Sequence, residues 1–332
     1  MTGVQRTTTR SKASDGSAIR MGVAALPEPE RAWLQAAEQL PIDSIWQGGH
    51  VLPPTHTGEV ITRLALMTAW TERVRIGTSI LLLPLYSPVL VAKQIADLDS
   101  RSGGRVTIGV GVGGEFPEEF RAIGVPVSER GPRTTEAITV LRALWKGGRV
   151  SHRGRFFDLD EVELRPVASP DTGAPAMQEG GPPIVVSGRK EPAMRRAARH
   201  GDGWLPYLVS PGAYARSVAT IRAEADAAGR DLAGFDWMLY AYCSIRPRED
   251  DARADVRSFL GNAYGDKPPE MLDKIAPAGT PDQVAVRLQE YVDAGARHIV
   301  ISPAAHTNTL EVAQLAATEV LPRLRLPAEA EV

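Results

Sequence analysis

The sequence predicts a single (β/α)8 barrel, and three observations predict it. Apolar runs of strand type alternate with amphipathic runs of helical type over residues 19–325, eight strand-type runs occur, and no break in the middle divides them into two sets. Eight units without a central break favour a sheet closed on itself over an open doubly wound sheet, the alternative that the same alternation permits.

The first strand is read at 19–26, followed by a helix at 29–40 with Trp33, Ala36, Ala37 and Leu40 on one face. Residues 43–47 form a short buried strand and 59–70 a helix with Val60, Leu64, Met67 and Ala69 at apolar positions. A third strand runs over 74–82. Pro88 suits the first turn of a helix continuing to 101, which Ser102-Gly103-Gly104 ends. The fourth strand is 106–110. A short helical stretch over 115–123 follows it, and a helix at 133–146 stops at Gly147-Gly148. Residues 150–164 break the alternation. They read as a hairpin turning near Arg153-Gly154, and the Pro- and Gly-rich stretch after it reads as a long surface loop. Together, residues 150–183 form an insertion after the fourth helix.

The alternation then resumes with strand 183–187, helix 192–200, strand 202–205, helix 211–228 and strand 236–245. A helix at 249–263 leads into an irregular stretch, 265–279, holding three prolines. Helix 281–294 opens with Thr280 as cap and Pro281 in its first turn, the eighth strand is 297–302, and the last helix is 309–323. Continuous apolar strands such as Ile184-Val185-Val186 are expected where both faces of a parallel sheet are covered. Residues 1–18, rich in Thr, Ser and Arg, read as a disordered tail, although a basic, hydroxyl-rich leader also resembles an organelle transit peptide. Residues 326–332 read as a second tail, leaving one domain over 19–325.

Hydrophobic residues make up 43% of the chain and charged residues 23%, enough apolar material for such a core. A net charge of -2 implies no bulk attraction to nucleic acid or to a membrane surface. The longest apolar run, from Ile80 to Leu85, is too short and too interrupted for a membrane span. One cysteine, Cys243, excludes an intramolecular disulfide and fits a cytoplasmic protein. Histidines at 50, 56, 152, 200, 298 and 306 have no ligand spacing, so no metal is expected. Arg195, Arg196 and Arg199 read as a solvated helix face.

The segment Gly109-Val110-Gly111-Val112-Gly113-Gly114 has a formal GxGxxG pattern and permits two readings. As a dinucleotide fingerprint it is misplaced, because it follows the fourth strand and no acidic residue stands at a strand end some twenty residues on. As a barrel-mouth loop it lets a planar cofactor or its phosphate approach the backbone.

Segments 73–114, 118–145, 182–204 and 279–302, in that order, resemble the bacterial-luciferase-like superfamily of flavin- and deazaflavin-dependent oxidoreductases. The resemblance implies the same barrel with an insertion after the fourth helix, and a homodimer. It places the cofactor phosphate at Ser187-Gly188-Arg189 and near Val112-Gly113, and a cis peptide at Ser79–Ile80 behind the ring. Gly111, Gly114 and Trp204 complete the expected cofactor pocket. His50 corresponds to a histidine facing the substrate side of the cofactor, though Gly49 stands where deazaflavin-using relatives often have Asp. Glu115 lies near the place of an acidic group in some of those relatives. Glu129-Arg130-Gly131 and Arg133 match another family motif and read as structural. The first expectation is an enzyme using reduced FMN, supplied by a separate flavin reductase, with oxygen on a small organic substrate. The alternative is hydride transfer with the deazaflavin coenzyme F420, and a third reading is a non-catalytic flavin-binding relative.

Overall fold

Eight parallel strands pair in chain order and the eighth pairs with the first. In barrel order they are β1 (Arg20–Ala24), β2 (Ser44–Gln47), β3 (Arg75–Thr78), β4 (Val106–Gly111), β5 (Ile184–Ser187), β6 (Gly203–Leu205), β7 (Asp236–Ile245) and β8 (His298–Pro303). Successive registers include Gly22↔Ser44, Trp46↔Gly77, Ile108↔Ile184 and Met238↔His298. The structure, a computed structural model, describes residues 18–25, 30–52, 57–165, 178–265, 268–305 and 307–327. Most of both expected tails, and residues 166–177 of the expected loop, lie outside these.

The helices are α1 (Arg31–Glu38), α2 (Val60–Trp70), α3 (Pro88–Ser102), α4 (Pro117–Ile123), α5 (Arg130–Trp145), α6 (Glu191–His200), α7 (Pro211–Ala227), α8 (Glu249–Tyr264), α9 (Pro269–Ile275), α10 (Pro281–Asp293) and α11 (Thr309–Leu315). Their apolar faces pack on the outer strand faces, where Leu34, Leu64, Ile95, Leu141, Ile221 and Leu288 are fully buried. Thr280 caps α10 in a full capping box with Gln283. An antiparallel hairpin, Arg149–Arg153 with Asp158–Glu163, stands between α5 and β5. Its turn rests on Glu136, which accepts the backbone N–H groups of Arg155, Phe156 and Phe157.

Four expectations need correction. The third strand, read as continuous over 74–82, is broken at the Ser79–Ile80 peptide, which is cis as expected: Gly77 pairs with Thr107, but Leu81 pairs with Val110, so one extra residue bulges out there. The stretch 265–279 contains α9, and Ala278–Gly279 pairs with the end of β7. The last helix loses regular α geometry at Ala316–Val320, which is a π turn. Arg196 is buried rather than solvated, because it bridges to Thr135 Oγ1 and the Gly131 carbonyl on α5. Withdrawal from water lowers its guanidinium pKa. Arg195 and Arg199 do pair at the surface, with Glu224. Arg130 and Arg133 donate to the carbonyls of Val127 and Pro84, which gives their motif a structural use.

The inner face of the barrel sets the site. Its amino-terminal end is closed by a polar chain: Arg20 Nη2 to Asp236 Oδ1 at 2.7 Å, Asp236 Oδ2 to His298 Nδ1 at 3.1 Å, and His298 Nε2 to Ser44 Oγ at 2.9 Å. Trp46 Nε1 then donates to Ser44 Oγ at 2.8 Å. The indole of Trp46 occupies the interior beside Gly77, where any Cβ would collide with its ring. On β7 the period of two carries Met238, Tyr240 and Tyr242 up the same inner face toward the carboxyl end.

Candidate active site

At the carboxyl ends of the strands lies a cavity of about 600 Å³. One wall is the β3 bulge, Ser79 and Ile80, beside the turn Gly111, Val112 and Gly113 after β4. Gly111 is needed for close approach, since a Cβ there would run into the Ile80 side chain. The end of β5 adds Ser187 and Gly188. Gly188 has φ 129, in a region that favours glycine, and it leads into α6, whose first N–H groups have no partner within the helix.

These residues fit a planar cofactor carrying a phosphate. The glycine turn clears a face against the Ile80 bulge. Gln47 Oε1, on β2, is buried with no hydrogen-bond partner among the described residues. The Tyr240 hydroxyl faces Ser79 and Ser302 from β7. Burial raises its pKa, and the two serines oppose that rise. The Ser187-Gly188 turn, ahead of a helix N-terminus, suits an anion.

His50 lies on the cavity wall after β2. Its Nδ1 is 3.2 Å from Oε2 of Glu119, and its ring meets Phe116 edge-on at 4.9 Å between centroids. Glu119 is fully buried on α4, and its Oε1 accepts the backbone N–H groups of Val51 and Leu52 at 2.6 and 3.0 Å. A carboxylate with only acceptor capacity thus orients the histidine as an Nδ1–H donor and holds its loop. Gly49 stands beside His50 in sequence, and the carboxylate it meets, Glu119, comes from α4.

Glu115 also lines the cavity and accepts from the Tyr207 hydroxyl at 3.0 Å. Burial, reinforced by the Glu115 charge, pushes the Tyr207 phenol up to about 12, so it is a neutral donor at neutral pH. Three expected contacts are placed differently. Trp204 lies behind the wall, fully buried against Tyr214, and donates its indole N–H to the Gly188 carbonyl at 2.8 Å. It supports the anion turn rather than lining the cavity. Arg189 donates to the Leu208 carbonyl and lies over the Tyr207 ring at 4.9 Å, at the exposed rim. Gly114 turns away, toward Arg130.

The sequence reading missed Glu119, Tyr207, Tyr240, Tyr242 and Phe259. Of these, only Tyr240 and Tyr242 carry a local signal, two tyrosines at period two near the end of a long strand. Among the described residues no cluster of three or more His, Cys, Asp or Glu could hold a metal ion, and no helix is long and apolar enough to cross a membrane.

A closed parallel barrel with a glycine-walled cavity at its carboxyl rim, and a carboxylate-held histidine on that wall, places the chain in the (β/α)8 class, with its candidate active site at the usual end. The chain belongs to the luciferase-like monooxygenase family, whose model matches residues 8–267. It is 30% identical over 331 residues to the F420-dependent glucose-6-phosphate dehydrogenase of Beutenbergia cavernae, covering 90% of this chain and 94% of that one. An uncharacterised Mycobacterium tuberculosis protein is 33% identical over 172 residues, and there the match spans only about half of either chain (52% and 56%). In fold, the chain is similar to an F420-dependent secondary alcohol dehydrogenase (TM-score 0.80, 21% identity, 93% and 99% of the two chains). It is also similar to the FMN-bound oxygenating constituent of 3,6-diketocamphane monooxygenase from Pseudomonas putida (TM-score 0.74, 18% identity, 93% and 100%). The family is one of oxidoreductases.

Proposed function

We propose that this protein is an F420-dependent oxidoreductase that moves a hydride between the deazaflavin and a substrate carbon bearing a hydroxyl or carbonyl group. The observation that carries the reading is His50, held through Nδ1 by buried Glu119, with Nε2 as the ring nitrogen Glu119 does not engage. An alcohol gives up hydride from carbon only as its hydroxyl proton is removed, so such chemistry needs a base beside the substrate. The relatives named F420-dependent dehydrogenases support the same reading.

When bound, F420 supplies the two-electron acceptor, or in the reverse direction the hydride donor. Ser79, Ile80 and the Gly111–Gly113 turn would hold its ring system, and Ser187 and Gly188 its phosphate. In the oxidative direction, His50 Nε2 accepts the hydroxyl proton while Glu119 stabilises the imidazolium and keeps the ring in place. Glu115 and Tyr207 form a hydrogen-bonded pair at the mouth and orient groups there. The apolar part of the wall, Ile80, Leu82, Leu205 and Phe116, excludes water from the reacting centre.

The FMN-bound structural neighbour favours a second reading, reduced FMN with oxygen and a separate reductase. One experiment separates the two. Oxygen-free protein is titrated with oxidised F420 and, separately, with reduced FMN, and oxygen is then admitted. The expected result is F420 binding at least about tenfold tighter than FMN, a difference of about 1.4 kcal/mol. Tighter binding of reduced FMN, with oxygen consumption coupled to a product, overturns the reading.

A further inference from the structure

We infer that the substrate is an uncharged, largely apolar alcohol or ketone with a ring or branched carbon body, and not a sugar phosphate. The inference deepens the hydride-transfer reading and rests on it. Two features of the cavity carry it.

The first is charge. Among the described lining residues none is lysine or arginine, and the carboxylate of Glu115 stands on the wall. A phosphomonoester carries about -1.5 to -2 charges at neutral pH and leaves water only where cations or N–H groups replace it. The N–H-rich corner is the Ser187-Gly188 turn, which the cofactor's own phosphate would take. Arg189 at the rim donates to the Leu208 carbonyl and lies on Tyr207. The described lining therefore offers no cation for a second phosphate, which the name of the 30% identical relative, a glucose-6-phosphate dehydrogenase, calls for.

The second is the aromatic wall. Tyr240 and Tyr242 meet at 5.3 Å and 76°, and Tyr242 and Phe259 at 5.9 Å and 45°. Phe116 closes against His50 on another side. The polar groups among them are phenols and the Asn262 amide, which hydrogen-bond but carry no charge. Edge-on and tilted rings present faces and edges for a carbon body, and their burial of apolar surface supplies the affinity.

The test uses the full chain, with and without F420, and measures binding of α-methylbenzyl alcohol and of glucose 6-phosphate by calorimetry. The alcohol is expected to bind at least tenfold tighter than the sugar phosphate. Phe259→Ala should weaken alcohol binding about tenfold, and Phe259→Leu less, with glucose 6-phosphate unaffected. Circular dichroism checks that the variants fold, and the wild-type preference stands as a test without them. Equal or tighter binding of glucose 6-phosphate, or no measurable binding of the alcohol, overturns the inference. F420 affinity is read in the same samples, so the two ideas fail separately. F420 bound with sugar phosphate preferred sinks the substrate class alone, whereas alcohol preferred with no F420 binding sinks the hydride-transfer reading alone.

Discussion

Two of the histidine–carboxylate pairs among the described residues stand at opposite ends of the barrel, and they differ in what the second ring nitrogen meets. At the floor, His298 Nδ1 faces Asp236 and Nε2 is taken by Ser44, itself fixed by Trp46. At the mouth, His50 Nδ1 faces Glu119 and the ring lies on the cavity wall. Exposure follows the same division: the His298 side chain is 2% accessible and that of His50 31%. A histidine with both nitrogens occupied ties strands together. One with a nitrogen left over, in a cavity, can move a proton. The same pair of residue types thus gives structure at one end of the barrel and, in the function proposed above, chemistry at the other.

Breaking each pair should have opposite consequences. His50→Ala is expected to lower F420-dependent turnover by about 10²–10⁴-fold, with F420 affinity changed by less than about twofold, read by steady-state kinetics and fluorescence titration. His298→Ala should do the reverse. It leaves Asp236 with Arg20 alone and Ser44 with Trp46 alone, and should cost about 2–3 kcal/mol in urea unfolding, with turnover per folded molecule within a few-fold. If His298→Ala removed turnover in stable protein, the contrast drawn between the two ends would be wrong.

Acid should act on the floor. Loss of water contact alone would raise the Asp236 carboxyl pKa, but the charges of His298, Arg20 and Arg75 outweigh it and hold the group below its ordinary value. Its stabilisation is therefore complete above the unfolded value of about 3.9 and is lost as pH falls through the lower folded value. Urea midpoints measured from pH 6 down to pH 2 should fall less steeply for Asp236→Asn than for the wild type; parallel curves would remove Asp236 from this role.

Two smaller effects sharpen the picture of the mouth. Glu119→Gln keeps the shape but loses the charge opposite the imidazolium, so kcat should fall about tenfold with KM little changed. Trp204→Phe deletes the N–H donated to the Gly188 carbonyl. It should cost about 1 kcal/mol of stability and weaken F420 binding a few-fold. Unchanged F420 affinity would show that the turn does not depend on its buried support.

The strands and helices were legible because each is a local pattern. Ile184-Val185-Val186 needs no distant partner to be read as a buried parallel strand, nor does the Thr280-Pro281 start of α10 to be read as a helix. The β3 break was not legible from the local pattern, because 74–82 reads as one strand-type run and only pairing with β4 exposes the extra residue; its place, at the Ser79–Ile80 cis peptide, came from the family resemblance. The site was legible in part. His50, Ser79 and the Ser187-Gly188 turn came from position within a family resemblance. Glu119 could not be found that way: it meets His50 across 69 positions, and in sequence it is one acid among three near a short helix. Trp204 and Arg196 were misread for a related reason. Whether a tryptophan lines or supports a wall, or an arginine is solvated or buried, depends on a neighbouring element that the local pattern does not contain.

The most direct measurement of the central claim uses a secondary alcohol deuterated at its carbinol carbon, mixed with the protein and oxidised F420 without oxygen. Hydride transfer predicts that F420 is reduced, that the deuterium is recovered on the deazaflavin, and that His50→Ala slows the transfer without changing where the label goes. Deuterium released to water, or no reduction of F420 by any alcohol while reduced FMN binds and consumes oxygen, would contradict it.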